Sequence, residues 1–300
     1  MIDFNEIAIY DKPLFDGFLD TYKPVVSEMT FTNLYAWRRA YRFRYTIAGG
    51  LLCVISVPEH GAPFAMMPVG RIDKESFEEA FAILKQYFRQ QGWKLIFKKI
   101  AHDEVPFFNA HIASEKAVVY DRDNSDYIYK TSDLINLKGK KYDGKRNHIR
   151  KFERQHEYEY VPLESIYIDE CAEIMEQWCK DKDCKCINGE NCERDANLQI
   201  LNNFNTLDCK GALVKVDGAF EAFTIGEMLN DNTAVIHIEK AKGSIDGLYT
   251  FINQQFAQNA WGSAEYINRE QDLGIEGLRR AKLSYQPVNL IDKYIIYPDK

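Results

Sequence analysis

The residues best suited to chemistry lie in two segments of the second half of the chain. The first, residues 138–154 (KGKKYDGKRNHIRKFER), holds eight Lys or Arg and two acids in 17 residues. On a helix, four of its polar side chains would share one face: Asn147, Arg150, Lys151 and Arg154. Such a face can bind phosphate or an RNA backbone, because Arg donates two parallel hydrogen bonds to an anion. The alternative interpretation is a solvated helix face, which a charge run alone favours.

The second segment, residues 267–287 (INREQDLGIEGLRRAKLSYQP), follows a predicted strand and opens a predicted helix. Four polar residues stand at the strand's exit, where α/β proteins place their ligands: Asn268, Arg269, Glu270 and Asp272. Gly274 and Gly277 allow a close backbone approach near a helix N-terminus. Arg279 and Lys282 lie three residues apart and could converge on one anion. A salt-bridged surface helix is the alternative.

Other groups that could react give weaker indications. No Ser/His/Asp or Cys/His nucleophile motif stands out in the sequence. His148 lies in the basic segment, and His237 is expected to pack in a strand. Glu227 and Glu239 end adjacent predicted strands and could assist an amine nucleophile, with surface positions as the alternative.

Four of the seven cysteines fall within 14 residues in the pattern C-x4-C-x-C-x5-C: Cys179, Cys184, Cys186 and Cys192. Cysteine thiolates bind zinc, but structural zinc sites usually repeat a C-x2-C pair, and no His lies nearby. A metal site and incidental loop cysteines both stay open, and we assign no metal.

The hydrophobic periodicity predicts the elements that position these groups. In the first half, a helix at residues 74–91 follows a strand at residues 51–57, and a strand at residues 93–100 comes next. In the second half, period-2 alternation predicts three strands joined by hairpin turns: residues 212–216, 219–229 and 233–239. Helices are predicted around them: residues 139–156, 166–180, 194–207, 248–261 and 274–284. Short strands complete the pattern: residues 265–268 and 290–297.

Length and composition limit the number of domains and the kinds of partner that the chain can have. The 300 residues, 46% hydrophobic, suit two domains of α/β (α+β) class, which we place at residues 1–125 and 126–300. The net charge of −7 excludes a chain-wide basic surface for nucleic acid, so RNA contact would need a local basic patch. No 18-residue apolar run predicts a membrane span, and no signal-peptide layout is seen, so we expect a cytoplasmic protein.

Two stretches, YIYKTSDLINLKGKKYDGKRNHIRKFER and EYINREQDLGIEGLRRAKLSYQP, resemble the C-terminal domain of phosphatidylglycerol lysyltransferases. Those domains look like tandem GNAT acyltransferase domains and are related to the Fem aminoacyltransferases. The resemblance implies two GNAT-like domains in tandem. It also implies transfer of an aminoacyl group from aminoacyl-tRNA to an amine or hydroxyl of a small molecule or lipid headgroup. An activated ester needs positioning and oxyanion stabilisation more than a nucleophile.

The resemblance also assigns residues to a substrate site. A first group would hold phosphate: Lys145, Arg146, Asn147 and Arg150. A second group would line the cleft of the second domain: Asn268, Arg269, Asp272, Gly277, Arg279 and Lys282.

Two other hypotheses stay open. One is a coenzyme A thioester as donor, for which GNAT enzymes hold the pyrophosphate on a loop that corresponds to residues 241–249 (AKGSIDGLY). Gly243 and Gly247 could leave N–H groups free there, but the usual Q/R-x-x-G-x-G/A pattern is not present. The other is a non-catalytic anion-binding protein on a GNAT scaffold.

Overall fold

The computed structural model describes residues 3–182 and 192–298. They form two compact units. The first unit runs up to Asp126 and also includes residues 271–274 and the chain from Ile291 onward. The second comprises residues 127–270 and 275–290. The first unit therefore contains two segments from the second half of the chain, whereas the prediction from the sequence divided the chain once, at residue 125.

The strands of the described residues are β1 (Asn5–Glu6), β2 (Phe43–Ala48), β3 (Leu51–Ser56), β4 (Phe64–Ala65), β5 (Phe97–Ala101), β6 (Val118–Tyr120), β7 (Asp126–Lys130), β8 (Tyr158–Pro162), β9 (Lys210–Val216), β10 (Ala219–Met228), β11 (Thr233–Ala241), β12 (Tyr266–Asn268), β13 (Asn289–Ile291) and β14 (Lys293–Ile296). The α-helices are α1 (Lys12–Tyr22), α2 (Phe31–Tyr41), α3 (Lys74–Gln90), α4 (Thr131–Asn136), α5 (Asp143–Gln155), α6 (Ile168–Lys182), α7 (Glu193–Asn202), α8 (Phe204–Leu207), α9 (Leu248–Trp261) and α10 (Glu276–Leu283).

The first unit is built on a seven-stranded sheet of order β1-β2-β3-β4-β5-β14-β6. The helix α3 packs on it with an apolar stripe spaced three and four residues apart, which includes Phe77, Phe81 and Phe88. Its N-terminus is closed by a capping box between Asp73 and Ser76. The helix therefore buries one face in the core of this unit and leaves the other to solvent.

The second unit has its own seven-stranded sheet, of order β13-β7-β12-β11-β10-β9-β8. The pairs β8–β9, β9–β10 and β10–β11 are antiparallel, whereas β12 runs parallel to β11. The helices α5 and α9 cover one face, where Val214 and Ala222 join their core. Alternation along a strand turns Leu213 and Phe223 to the opposite face, and α6 also packs against β10 and β11.

The strands β11 and β12 separate soon after they pair. Their pairing ends at Val235 and Asn268, while β11 continues to Ala241. The β10–β11 register also shifts, because Ile225 faces Ile238 whereas the next residue, Gly226, faces Ile236. His237 is therefore the extra residue of a β-bulge. Bulges bend a strand and re-aim its side chains, and here the bulge lies where the two strands diverge.

Most predicted elements of the second half are confirmed, and α9 matches its predicted bounds. The prediction of a single last strand at residues 290–297 is wrong, because two strands lie there. They are β13, in the sheet of the second unit, and β14, in the sheet of the first. Within the described part of the chain, no helix has the length and apolarity needed to cross a membrane.

Candidate functional site

The gap between β11 and β12 holds a network of polar side chains. Arg269, just after β12, pairs through Nη2 with Glu239 Oε1 of β11 at 2.8 Å. The other oxygen of Glu239 accepts a hydrogen bond from Asn253 Nδ2 of α9 at 2.9 Å. Glu239 is mostly buried, so the prediction of a surface position for this residue is wrong. One carboxylate thus fixes a guanidinium and an amide from two other elements.

Two atoms of this network have unused hydrogen-bonding capacity. Arg269 Nη1 and Asn253 Oδ1 are both buried and have no hydrogen-bond partner among the described residues. Buried polar atoms normally have one, and an unsatisfied one costs about 1–3 kcal/mol. The site therefore offers a cationic donor and a neutral acceptor to a bound molecule.

Lys145 reaches the same place from α5. It lies four residues before Ile149 and seven before Phe152, both buried, so it occupies the core-facing side of the helix. Its Nζ lies 3.8 Å from the centre of the Tyr285 ring, and Arg269 Cζ lies 4.7 Å from the same ring. Burial and the nearby Arg269 guanidinium lower the pKa of Lys145 to about 8, against the opposing effect of Glu239.

Lys145 and Arg269 therefore bring the two chemically suggestive segments together around Tyr285. The Tyr285 ring is 6% exposed, and its backbone carbonyl accepts a hydrogen bond from Tyr142 Oη at 3.0 Å. The aromatic ring holds the two cations at fixed positions through cation–π contacts. We define Lys145, Glu239, Asn253, Arg269 and Tyr285 as the splay site.

The other residues of the first segment lie outside the splay site. The Arg146 guanidinium donates to the carbonyl oxygens of Leu137 and Gly139 and pairs with Asp143. Asn147 and Arg150 are exposed on the outer face of α5. The predicted phosphate-holding group is thus divided between the splay site, a loop contact and an exposed helix face.

In the second segment, two buried residues shape the backbone around Arg269. Asn268 is fully buried, and its Oδ1 accepts a hydrogen bond from the Glu270 amide at 2.7 Å. Lys282 is also buried and donates through Nζ to the carbonyl oxygen of Arg269. Asn268 and Lys282 therefore hold the backbone on either side of the Arg269 side chain.

The remaining three predicted cleft residues lie elsewhere. Asp272 belongs to the first unit, where it pairs with Arg122 at 3.2 Å. Gly277 is exposed in the first turn of α10, and a Cβ there would meet no atom within 4 Å. Arg279, also on α10, is half-exposed.

From the sequence, His237 was expected to pack in a strand, and the charge of its side chain was not predicted. His237, in the bulge, lies 2.8 Å from Glu227 Oε1 through Nε2 and 2.9 Å from Glu270 Oε1 through Nδ1. Burial alone would lower its pKa, but the hydrogen bonds and charges of the two carboxylates outweigh burial and raise the pKa to about 10. Only the strand register brings these three residues together, so no spacing in the sequence could have shown the contact.

The loop after β11 is occupied by contacts within the chain. A Cβ on Gly247 would lie far inside van der Waals distance of the His148 carbonyl oxygen, so α5 packs closely against the start of α9. Asp246 pairs with both His148 and Lys151, at 2.8 and 2.7 Å. The helix α5 therefore lies against the loop at residues 241–249, where the coenzyme A hypothesis places a pyrophosphate.

A groove of about 790 Å³ lies elsewhere in this unit, between α6 and the neighbouring parts of β10 and β11. Six acids line it with only two lysines: Asp169, Glu170, Glu173, Glu176, Asp181 and Glu221, with Lys180 and Lys242. This charge balance is unsuited to a phosphate group.

The cysteine pattern stays an open question. Cys184 and Cys186 lie outside the described residues, so the hypothesis of a zinc site is not tested. Cys179 is buried at the end of α6.

The fold of the two units corresponds to a known class. A tandem GNAT protein from the clavulanic acid biosynthesis pathway superposes with a TM-score of 0.51 at 9% identity, over 99% of both chains. The chain consists of two GNAT-like domains. The family model "Phosphatidylglycerol lysyltransferase, C-terminal" matches residues 20–297, so the chain belongs to this family.

Individual relatives agree with this assignment. A conserved protein of unknown function from Bacteroides thetaiotaomicron is 35% identical, with a TM-score of 0.89 over 98% of this chain and 99% of that chain. L-PGS from Bacillus licheniformis is 17% identical, with a TM-score of 0.67 over 98% and 92%. The uncharacterized protein MYCGA3080 of Mycoplasmoides gallisepticum is 22% identical over 180 residues, which span 58% of this chain and 56% of that relative. The family indicates an acyltransferase of the lysyl-phosphatidylglycerol synthase type, and the fold agrees with it.

Proposed function

We propose that the protein is an aminoacyltransferase that takes its aminoacyl group from aminoacyl-tRNA and passes it to an amine or hydroxyl of a small molecule or lipid headgroup. The observation that carries this proposal is the splay site. There, a buried donor on Arg269 and a buried acceptor on Asn253 are both without a partner among the described residues. An aminoacyl ester has a carbonyl oxygen for the first and an α-ammonium group for the second.

The chemistry of the splay site suits this substrate. Attack on the ester turns its carbonyl oxygen into an oxyanion, which Arg269 Nη1 would stabilise in a site shielded from water. Glu239 holds the guanidinium in place and adds negative charge near the α-ammonium group. The ester is already activated, so orientation and charge stabilisation account for the reaction without a covalent intermediate.

The outer face of α5 would hold the tRNA. Arg150 and Arg154 are exposed there, and neither has an ion pair among the described residues. A local basic face of this kind binds the phosphate backbone even though the chain carries a net charge of −7. The acceptor is bound separately, and its chemistry is an amine or a hydroxyl.

The contacts of the loop after β11 favour this donor over a coenzyme A thioester. The helix α5 packs against Gly247, and the Asp246 carboxylate is the nearest charge of the loop to that helix. A pyrophosphate at this loop would meet a carboxylate and displace the helix. We therefore expect no thermal shift with millimolar acetyl-CoA.

The proposal is tested by aminoacyl transfer and by tRNA binding. Tritiated lysyl-, alanyl- and arginyl-tRNA are incubated with the protein, and loss of the ester bond is followed. Arg269→Lys keeps the charge beside Glu239 but removes Nη1. We expect it to lower the rate about 10²–10³-fold, the usual effect of losing one oxyanion donor.

The tRNA face is tested by the double variant Arg150→Ala/Arg154→Ala. Two lost phosphate contacts should reduce the slope of log affinity against log salt by about 2. Arg71→Ala/Arg89→Ala, which removes two exposed arginines of the first unit, should leave the slope unchanged. No ester loss by the wild-type protein with any charged tRNA would sink the proposed activity, and equal slopes for both double variants would sink the tRNA face.

A further inference from the structure

Lys145 differs from the other basic residues of α5 in its surroundings. Its side chain is half-buried, on the side of the helix that carries Ile149 and Phe152. Within the described residues its Nζ has no ion pair or hydrogen bond, and its neighbour is the Tyr285 ring. An ammonium group in this position is partly withdrawn from water and has no carboxylate partner among the described residues, so the neutral amine is more favoured than in a free lysine.

The groups facing Lys145 favour the neutral amine on balance, because the effect of Arg269 exceeds the opposing effect of Glu239. The positive Arg269 guanidinium lies against the same ring. Glu239, the negative group nearby, already pairs with Arg269 and bonds to Asn253. Tyr285 is the titratable side chain in contact, and burial raises its pKa, so it stays neutral. A lysine with a pKa of about 8 has a substantial fraction of neutral amine near physiological pH, and that amine can accept a proton.

Resting on the proposed function, we infer that the Lys145 amine is the general base of the transfer, taking the proton of the attacking amine or hydroxyl. If the ester carbonyl oxygen lies on Arg269 Nη1, the carbonyl carbon is next to the two cations that flank Tyr285. Lys145 belongs to α5 and Arg269 follows directly after β12, so the base and the oxyanion donor are positioned by separate elements. The acceptor would approach between them.

The step balances without any further reactant. The acceptor nitrogen or oxygen bonds to the acyl carbon while Lys145 Nζ takes its proton. The bond between the acyl carbon and the ribose oxygen of the tRNA then breaks. The Lys145 ammonium returns the proton to that ribose oxygen, which leaves as a hydroxyl, and the lysine is neutral again.

The test compares two substitutions that separate a base from a fixed charge. Arg keeps the charge but cannot give up its proton, whereas Met removes both. We expect Lys145→Arg and Lys145→Met to lower kcat about 10²–10⁴-fold with KM for the charged tRNA unchanged. Wild-type kcat should rise with pH towards a plateau above about 8, and both variants should lose that rise. Glycerol serves as a hydroxyl acceptor that does not titrate, water is the second acceptor, and the uncatalysed rate is subtracted.

Lys98 provides the matched control. Its Nζ lies 4.9 Å from the Phe64 ring in the first unit, and burial followed by the charge of Lys99 lowers its pKa. Lys98→Met should leave the rate and its pH dependence unchanged. Full activity in Lys145→Arg would overturn the inference, because a fixed charge would then suffice.

A measurement independent of turnover covers the case in which a variant fails to fold. Reductive ¹³C-methylation of the wild-type protein gives each lysine an NMR signal, and the Lys145 signal is assigned by its loss in whichever of Lys145→Arg and Lys145→Met folds. We expect it to titrate near pH 8, and titration above 10 would overturn the inference. An NMR titration near 8 with no ester loss by the wild-type protein would instead overturn the proposed function and the base role with it.

Discussion

His237 shows how a single residue acquires a role that its type and spacing do not reveal. Alternation along the predicted strand suggested only a packed side chain. In the structure, both ring nitrogens meet carboxylate oxygens, so the ring is a buried imidazolium. It joins β10 and β11 to the chain leaving β12 at the position where Arg269 must be held.

The pH dependence of stability tests this charge. The pKa of His237 in the folded chain is about 10, above its ordinary value of 6.5. Its contribution to the free energy of unfolding is therefore fully present below pH 6.5 and is lost as the pH rises through 10. His237→Gln leaves Glu227 and Glu270 without their shared cation, and we expect a loss of about 3 kcal/mol at pH 6.

The measurement is urea unfolding of both proteins at pH 6, 8 and 9.5. The difference between wild type and His237→Gln should shrink at the highest pH. His148→Gln is the control, because His148 is exposed and its pair with Asp246 should contribute little. Surface substitutions usually change the free energy of unfolding by less than about 0.5 kcal/mol. A loss that small for His237→Gln at all three pH values would show that a charged His237 ring does not stabilise the fold.

At the residue scale, the sequence indicated part of the splay site. Arg269 could be predicted because a polar turn at a strand's exit is a common ligand position. Lys145 was singled out for its charge, but its half-buried environment depends on Tyr285, which lies 140 positions further along the chain. Asn253 could not be predicted, since an amide on an amphipathic helix has no distinguishing pattern.

At the scale of elements, the coupling of α5 to α9 forms the framework of the site. Lys145 belongs to the first of these helices and Asn253 to the second. The two helices meet where Gly247, with φ of 88°, lies against the His148 carbonyl. A side chain at position 247 would force the helices apart, and the separation would pull Lys145 away from Tyr285.

Two glycine substitutions in this loop test the coupling. Gly247→Ala adds a Cβ against backbone and requires a left-handed conformation, so we expect a loss of at least about 2 kcal/mol. Gly243→Ala is its matched control, because a Cβ there meets no atom within 4 Å. The midpoint of thermal unfolding should fall only for the first. Equal midpoints would mean that α5 and α9 are not tightly packed at this loop.

Local patterns predicted helices better than they predicted strand partners. The spacing of apolar residues was enough for α3 and α9, because each buries a continuous stripe. The bulge at His237 and the separation of β11 from β12 follow from register, which depends on pairing between distant residues. The sequence of β11 alone therefore indicated a strand but not its irregularity.

At the scale of the whole molecule, the chain order does not match the order of the sheets. The alternation of residues 290–297 correctly indicated extended structure. One position, Asp292, separates a strand of the second unit's sheet from a strand of the first unit's sheet. Because β14 lies between β5 and β6, the first unit needs residues from near the end of the described chain.

Lys293 fixes this returning strand. It is fully buried, and its Nζ lies 2.5 Å from Glu28 Oε2 and 2.6 Å from Asp126 Oδ1. Burial would raise the pKa of Glu28, but Lys293 and then Lys99 outweigh burial and lower it to about 2. Asp126 is held further by the amide of Ser27 at 2.7 Å. Removing one member of a buried charge network leaves the others uncompensated.

Lys293→Met tests whether this network joins β14 to the first unit. The buried Glu28 and Asp126 carboxylates then lose the Lys293 cation, and Glu28 keeps its ion pair with Lys99. We expect the free energy of unfolding to fall by about 3–5 kcal/mol. Adding Glu28→Gln and Asp126→Asn removes the uncompensated charge and should restore part of that loss, because the destabilisation lies in the charge more than in the shape. Calorimetry of the three proteins measures both effects. A triple variant no more stable than Lys293→Met would place the stabilisation in packing of the lysine stem instead, with β14 held chiefly by its backbone pairing to β5 and β6.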